Sequence, residues 1–226
     1  MWGACVVSVD DLTACALTST SLTPADSATL GIAAAAPFLL GWEAGPDLVI
    51  SGINRGGNDG TNVNISGTLG AATVAASLGH STMAINTSSS GNAANNFRAA
   101  AEWAVTFVGT LAANDLLPVD YVINVNYPRT DREPITRAAW ASVAQLSPFA
   151  TGFKQNEGED PLHFESTFAF CELGSKCGDP EEGSDSALYG SGVIAVSPVS
   201  VDRTVGAQAD VEAVRALVES GAVNPR

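Results

Sequence analysis

Positive charge is scarce in this 226-residue chain: ten Lys and Arg stand against 24 Asp and Glu, a formal net charge of −14 at pH 7. That balance argues against nucleic acid as a partner, because binding it rests mainly on Lys and Arg neutralising phosphates. The same shortage argues against a membrane surface. No apolar run approaches the ~20 residues that span a bilayer, and Met1 is followed by no basic stretch with an apolar one behind it. A soluble, cytoplasmic protein is expected.

Histidine and cysteine are also sparse, at two and four. The cysteines at 5, 15, 171 and 177 lack zinc-ligand spacing, so a structural zinc site is not expected. Cys171 and Cys177 bracket "ELGSK" and could close a small disulfide; buried, idle thiols are the other reading. There is no G-x-x-x-x-G-K-[ST] and no G-x-G-x-x-G, which removes the P-loop and dinucleotide signatures. A G-x-S-x-G elbow is missing too, and neither His80 nor His163 has a Ser and Asp partner in the pattern.

What the chain does have is apolar bulk, 46% hydrophobic residues against 15% charged, which fits a folded globule of one domain. After a β-like opening at 5–20, "LTPADSATLGIAAAAPFLL" reads as a helix with Thr23 as N-cap and Pro24 in its first turn, closed by Pro37. "PDLVIS" (46–51) reads as a short strand buried on both faces. "SGTLGAATVAASLGH" is a helix from Ser66 with Gly79 as its stop. "TMAINT" (82–87) and "VDYVINVNYP" (119–128) are further strands. Between them lies a helix whose apolar stripe is Phe97, Ala101, Ala104, Val105 and Val108. Strand and helix alternate with short joins, so the fold class is α/β with a parallel sheet. Residues 135–200 read as hairpins and long loops, the acidic run 157–160 as a solvated loop, and "DVEAVRALVESG" as a final amphipathic helix.

Ligands of open parallel sheets bind beyond the carboxyl ends of the strands. There the chain places "SGINRGGNDGTNVNISGTLGAA", crowded with glycine and asparagine. The helix starting at Ser66-Gly67-Thr68 turns unpaired N–H groups and its positive dipole end toward that crevice, which suits an anion, phosphate above all. Gly52, Gly56, Gly57 and Gly60 permit a sharp turn and close approach of backbone to ligand. Asn54, Asn58, Asn62 and Asn64 offer hard amide oxygens of the kind magnesium, manganese or calcium accepts.

This stretch resembles the SurE family of survival proteins. Other segments fall in the family's order: "LTPADS" (22–27), "INVNYP" (123–128) and "SDSALYGSGVIAVSPVSVD" (184–202), so the likeness covers about residues 9 to 205. It implies a Rossmann-like three-layer fold with a C-terminal β-hairpin extension used for dimer or tetramer assembly. The division that follows is a partial α/β core at 1–128, a hairpin region and returning strand at 129–205, and a C-terminal helix at 206–226. Implied too is hydrolysis of phosphomonoesters, typically nucleoside monophosphates, with a divalent cation, magnesium or manganese. By position, Asn54 matches the family's asparagine metal ligand, Ser66, Gly67 and Thr68 its phosphate-side helix start, and Asn58 a polar residue of the pocket. Asn54 and Ser66 are thereby the catalytic candidates.

One part of the family pattern has no match. Its other metal ligands, two aspartates of an N-D-D-G motif and a serine in a later Ser-Gly loop, precede the segment that begins here at residue 22, so the first βα unit is expected to be missing. Asp10 and Asp11 lack the flanking Asn and Gly and fall where the family has a hairpin. The expected activity is therefore impaired in this chain, the alternative being an inactive SurE-like anion-binding or assembly module.

Overall fold

A computed structural model describes residues 23–131, 135, 137–146, 149–155, 164–170 and 179–202. The four cysteines, Asp10, Asp11, His163, the acidic run at 157–160 and the helix expected near the C-terminus lie outside them.

Helix α1 (Pro24–Leu30) begins as its sequence requires: the Thr23 hydroxyl accepts the Asp26 N–H at 3.2 Å, and the Thr23 N–H donates to the Asp26 carboxylate at 3.1 Å. Pro37 does not close the helix. A π-helical turn at Gly31–Ala35 widens the coil ahead of α2 (Ala36–Leu40), so Pro37 sits in a first turn where no intrahelical N–H is needed. Gly41, at φ +68°, ends it.

Strand β1 (Leu48–Arg55) runs past "PDLVIS" and carries Asn54 within it. Helix α3 (Gly67–Ser77) leads to β2 (Ser81–Thr87), and α4 (Ala93–Ala113) to β3 (Tyr121–Tyr127). Short strand β4 (Ala138–Trp140) is followed by the antiparallel pair β5 (Phe149–Gln155) and β6 (Phe164–Phe170), then by α5 (Asp185–Gly190) and β7 (Ile194–Ser200). The main sheet has the order β1-β2-β3-β7-β4; β1, β2 and β3 are parallel, β7 is antiparallel to β3, and β4 parallel to β7. This is the expected α/β fold with a hairpin set apart from it.

Side chains alternate across the sheet with the strand period of two, giving a core on each face. Met83, Ile85, Ile123 and Val125 pack with Ala100 and Ala104 of α4, while Ala84 and Val122 pack with Leu69, Ala72 and Ala76 of α3. The alanines of α3 bring that helix close to the strands. On α4 the expected stripe is rotated: Ala101 and Val105 face solvent, and the packed face runs through Asn96, Ala100, Trp103, Ala104 and Phe107. Trp103 stacks on Phe107 with ring centroids 4.7 Å apart, a contact that outweighs the burial of Val105. "PDLVIS" is not buried on both faces either. Strand β1 is the outer strand among the described residues, and Ile50 is 49% exposed.

Candidate anion site at the strand ends

At the carboxyl ends of the three parallel strands the apolar face toward α3 gives way to carboxamides. Asn54, Asn86 and Asn126 stand in register across β1, β2 and β3, and Asn124 lies two residues before Asn126 on the same face. Asn86, Asn124 and Asn126 are fully buried. Buried amides are destabilising unless paired, and here they pair with one another. Asn86 Nδ2 donates to Asn124 Oδ1 at 2.8 Å and to the Val125 carbonyl at 2.9 Å, while its Oδ1 accepts from Asn58 Nδ2.

Asn58 is the loop's anchor in this network. Its N–H donates to Asn126 Oδ1 at 2.8 Å, and its carbonyl accepts from Asn124 Nδ2 at 2.8 Å and Asn126 Nδ2 at 3.3 Å. Asn58, the residue expected to line a pocket, fixes the loop to two strands. Sequence reasoning missed Asn86, Asn124 and Asn126 as partners; the signal was the i, i+2 pair in "INVNYP", polar residues where a strand buried on both faces should be apolar.

The far side of the loop is held by a buried acid that the sequence reading also passed over. Asp185, at the start of α5, accepts the N–H groups of Gly60 (3.1 Å), Ala144 (2.9 Å) and Ser186 (2.8 Å) on Oδ1. Burial pushes its carboxyl up to about 6, with the charge of nearby Asp59 adding to the rise against those N–H bonds. Asp59 is itself raised by burial, and Tyr189 is pushed up to about 12 by burial and by Asp59. Two glycines make this packing possible. Gly60 has φ +54°, and a Cβ there would run into the Leu146 carbonyl oxygen. At Gly57 a Cβ would lie 2.7 Å from the Tyr189 ring and 2.8 Å from the Asp59 carboxylate.

The helix start behaves as its sequence predicts. Ser66 caps α3, its hydroxyl accepting the Leu69 N–H at 3.2 Å, so that group is already engaged. Gly67 is exposed and its Cα abuts the Pro24 ring of α1, where a Cβ would stand 2.8 Å from Cγ. Thr68 is buried, and its backbone N–H, in the first turn, has no carbonyl partner within the helix. Asn62, one turn earlier, is buried with its Nδ2 unpaired. His80 lies at the other end of β1, with Nδ1 2.9 Å from the Pro46 carbonyl, and takes no part.

For a divalent cation the described residues offer little. Asn54 Nδ2 donates to the Gly56 carbonyl at 2.9 Å, which orients the carboxamide and leaves Oδ1 as one hard, neutral ligand. Among the described residues no group of three or more His, Cys, Asp or Glu could hold a metal. They do not by themselves fit the ion.

Fold and site define a class: an α/β protein in which a glycine-asparagine loop and a helix N-terminus meet beyond the carboxyl ends of parallel strands, the place and chemistry of phosphate-compound binding. Comparison with known proteins gives the family. The family described as "Survival protein SurE" matches residues 7–148. "5'-nucleotidase SurE 1" of Thermus thermophilus is 35% identical over 197 residues, 87% of this chain and 70% of that protein. "5'-nucleotidase SurE" of Symbiobacterium thermophilum is 34% identical, over 80% of this chain and 66% of that protein. A crystal structure of the SurE protein from Aquifex aeolicus superposes with a TM-score of 0.64 at 27% identity, covering 88% of this chain and 73% of that one. This chain belongs to the SurE family. It spans about two thirds of the length of these relatives, and 42% of a third, from Geotalea daltonii.

Proposed function

We propose that the chain is a phosphomonoesterase of the 5′-nucleotidase type, acting on nucleoside monophosphates with the help of magnesium or manganese. The observation that carries this reading is the loop at 52–68: Asn58 ties it to β2 and β3, and it leads into the N-terminus of an eleven-residue helix beyond the carboxyl ends of the strands. The relatives named 5'-nucleotidase support the substrate class.

In this reading the N–H groups of Gly67 and Thr68, with no partner inside the helix, receive the phosphoryl oxygens, and the helix dipole favours their negative charge. Ser66 holds the first turn in place and presents its hydroxyl oxygen at the crevice. Asn58 fixes the loop so that these donors need not reorganise as charge develops on the phosphoryl group. Asn54 Oδ1 would hold the cation on one side. When bound, that ion supplies Lewis-acid polarisation and a more acidic water. The family's two aspartate ligands have no match in residues 1–226, so in this reading turnover by this chain is impaired.

The chain is read as one domain throughout, with the β5–β6 hairpin as an assembly element of a homodimer or homotetramer. A cytoplasmic location is likewise part of the reading; no helix among the described residues is long and apolar enough to cross a membrane. The test is release of inorganic phosphate from a nucleoside monophosphate by the purified protein with manganese or magnesium, compared with Ser66→Ala and Asn54→Ala. Turnover reduced in both variants supports the reading. Nucleotide binding without turnover would instead favour an inactive binding module, and neither binding nor turnover would sink the proposal.

A further inference from the structure

Asp185 is fully buried, yet among the described residues its carboxylate belongs to no ion pair; its partners there are three backbone N–H groups from three separate places in the chain. Gly60 is in the glycine-asparagine loop two residues after Asn58, Ala144 is in the segment between β4 and β5, and Ser186 is in the first turn of α5. The loop is therefore gripped from both sides, by the asparagine network at Asn58 and by one carboxylate at Gly60. A second tie runs beside it, from the Thr61 N–H to the Leu146 carbonyl at 3.1 Å.

We propose that Asp185 is a positioning residue for the anion site: as the carboxylate it clamps Gly60 to the 141–146 segment and α5, and this sets where the loop presents Ser66 and the helix start. The inference rests on the phosphomonoesterase reading for its consequence, though not for the clamp itself. Charged acceptors hold N–H groups more strongly than neutral ones, so the grip depends on the state of Asp185. Among the described residues the titratable groups facing it are Asp59 in the loop and Tyr189 on α5; the segment 141–146, the turn at 60–64 and β7 carry none. Asp59 is the neighbour whose charge disfavours a second carboxylate, and the clamp loosens as Asp185 takes up a proton in mild acid.

The test compares wild type with Asp185→Asn, which keeps the shape and one acceptor oxygen but fixes the neutral form. By two-dimensional amide NMR between pH 5 and pH 8, the Gly60, Ala144 and Ser186 resonances of the wild type are expected to move together with a common midpoint. In D185N they stay near their acid positions at every pH. With manganese and a nucleoside monophosphate, kcat/KM of wild type over D185N is expected to rise from about 1 at pH 5 to about tenfold at pH 7.5, the scale on which a displaced positioning group acts. Amides that do not titrate, or that keep titrating in D185N, overturn the clamp. Titrating amides with an activity ratio that stays flat overturn its link to the site. If neither protein hydrolyses the nucleotide, the amide titration still decides the clamp, and only the proposed function is refuted.

Discussion

Asn86 is the side chain on which the site's internal order depends most, and its replacement tests that order from two directions. Asn86→Ala removes the acceptor of Asn58 Nδ2 and the donor to Asn124 Oδ1, leaving two buried polar atoms without partners. Each such loss costs about 1–3 kcal/mol, so the expected destabilisation is roughly 2–6 kcal/mol, a large share of the 5–15 kcal/mol that holds a typical domain folded. Asn86→Asp keeps the acceptor for Asn58 but faces the Asn124 oxygen and the Val125 carbonyl with no hydrogen unless it is protonated. Its folded pKa must therefore lie above the unfolded value of ~3.9. Sign follows from linkage: the stability of N86D is fully present below that unfolded value and is lost as pH rises through the folded one. Urea unfolding at pH 5 and pH 8 measures both effects. N86A should lose a similar amount at each pH, whereas N86D should lose clearly more at pH 8. A loss below ~1 kcal/mol for N86A, or a pH-independent N86D, would refute the network as drawn.

Gly60→Ala should destabilise by ~2 kcal/mol or more, because the new Cβ meets the Leu146 carbonyl at a positive φ; thermal unfolding against Gly79→Ala, where φ is +88° with nothing nearby, separates the clash from the conformational cost. Ser66→Ala should cost about 1 kcal/mol through the lost cap at Leu69 N and at the same time lower phosphomonoesterase activity about tenfold or more, read by denaturation and phosphate release. Asp185, with its carboxyl at about 6 against 3.8 unperturbed, contributes stability that is present below ~4 and lost as pH rises through 6, about 3 kcal/mol at ~1.4 kcal/mol per pH unit. D185N should flatten that fall between pH 4 and pH 7 and be no less stable than wild type at pH 7.5.

The alternation that gave the parallel sheet, the cap at Thr23, the cap at Ser66 and the stop at Gly79 were all legible because each is a local rule acting on adjacent residues. Pro37 misled because a π turn can absorb a proline that an ideal helix would reject, and a single turn's register leaves no mark in periodicity. The stripe on α4 was set one residue off since alanine fits either face, and Trp103 and Phe107 decided the matter by size. At the site, spacing along the loop revealed which residues come first but not what they touch. The sequence does not show that β2 and β3 deliver Asn86, Asn124 and Asn126 to Asn58, contacts 28 to 68 residues apart in the chain. Asp185 is not legible at all, because an acid held by three backbone N–H groups has no sequence signature.

In the proposed reading the phosphate meets a chain of formal charge −14. The groups assigned to the anion are N–H donors and a helix dipole, whose attraction falls off within a turn of the helix, while the repulsion from the whole molecule acts over a Debye length, ~30 Å at 0.01 M salt. Short-range capture and long-range repulsion therefore respond oppositely to ionic strength. Added salt shortens the Debye length to ~8 Å at 0.15 M and removes the repulsion first, since the donors act in contact with the ligand. KM for a nucleoside monophosphate should accordingly fall as potassium chloride is raised from ~0.01 to ~0.15 M, with kcat nearly unchanged. A site built on Lys and Arg would do the reverse. A KM that climbs steadily over that range would show that cationic side chains, and not the helix start at Ser66, hold the phosphate.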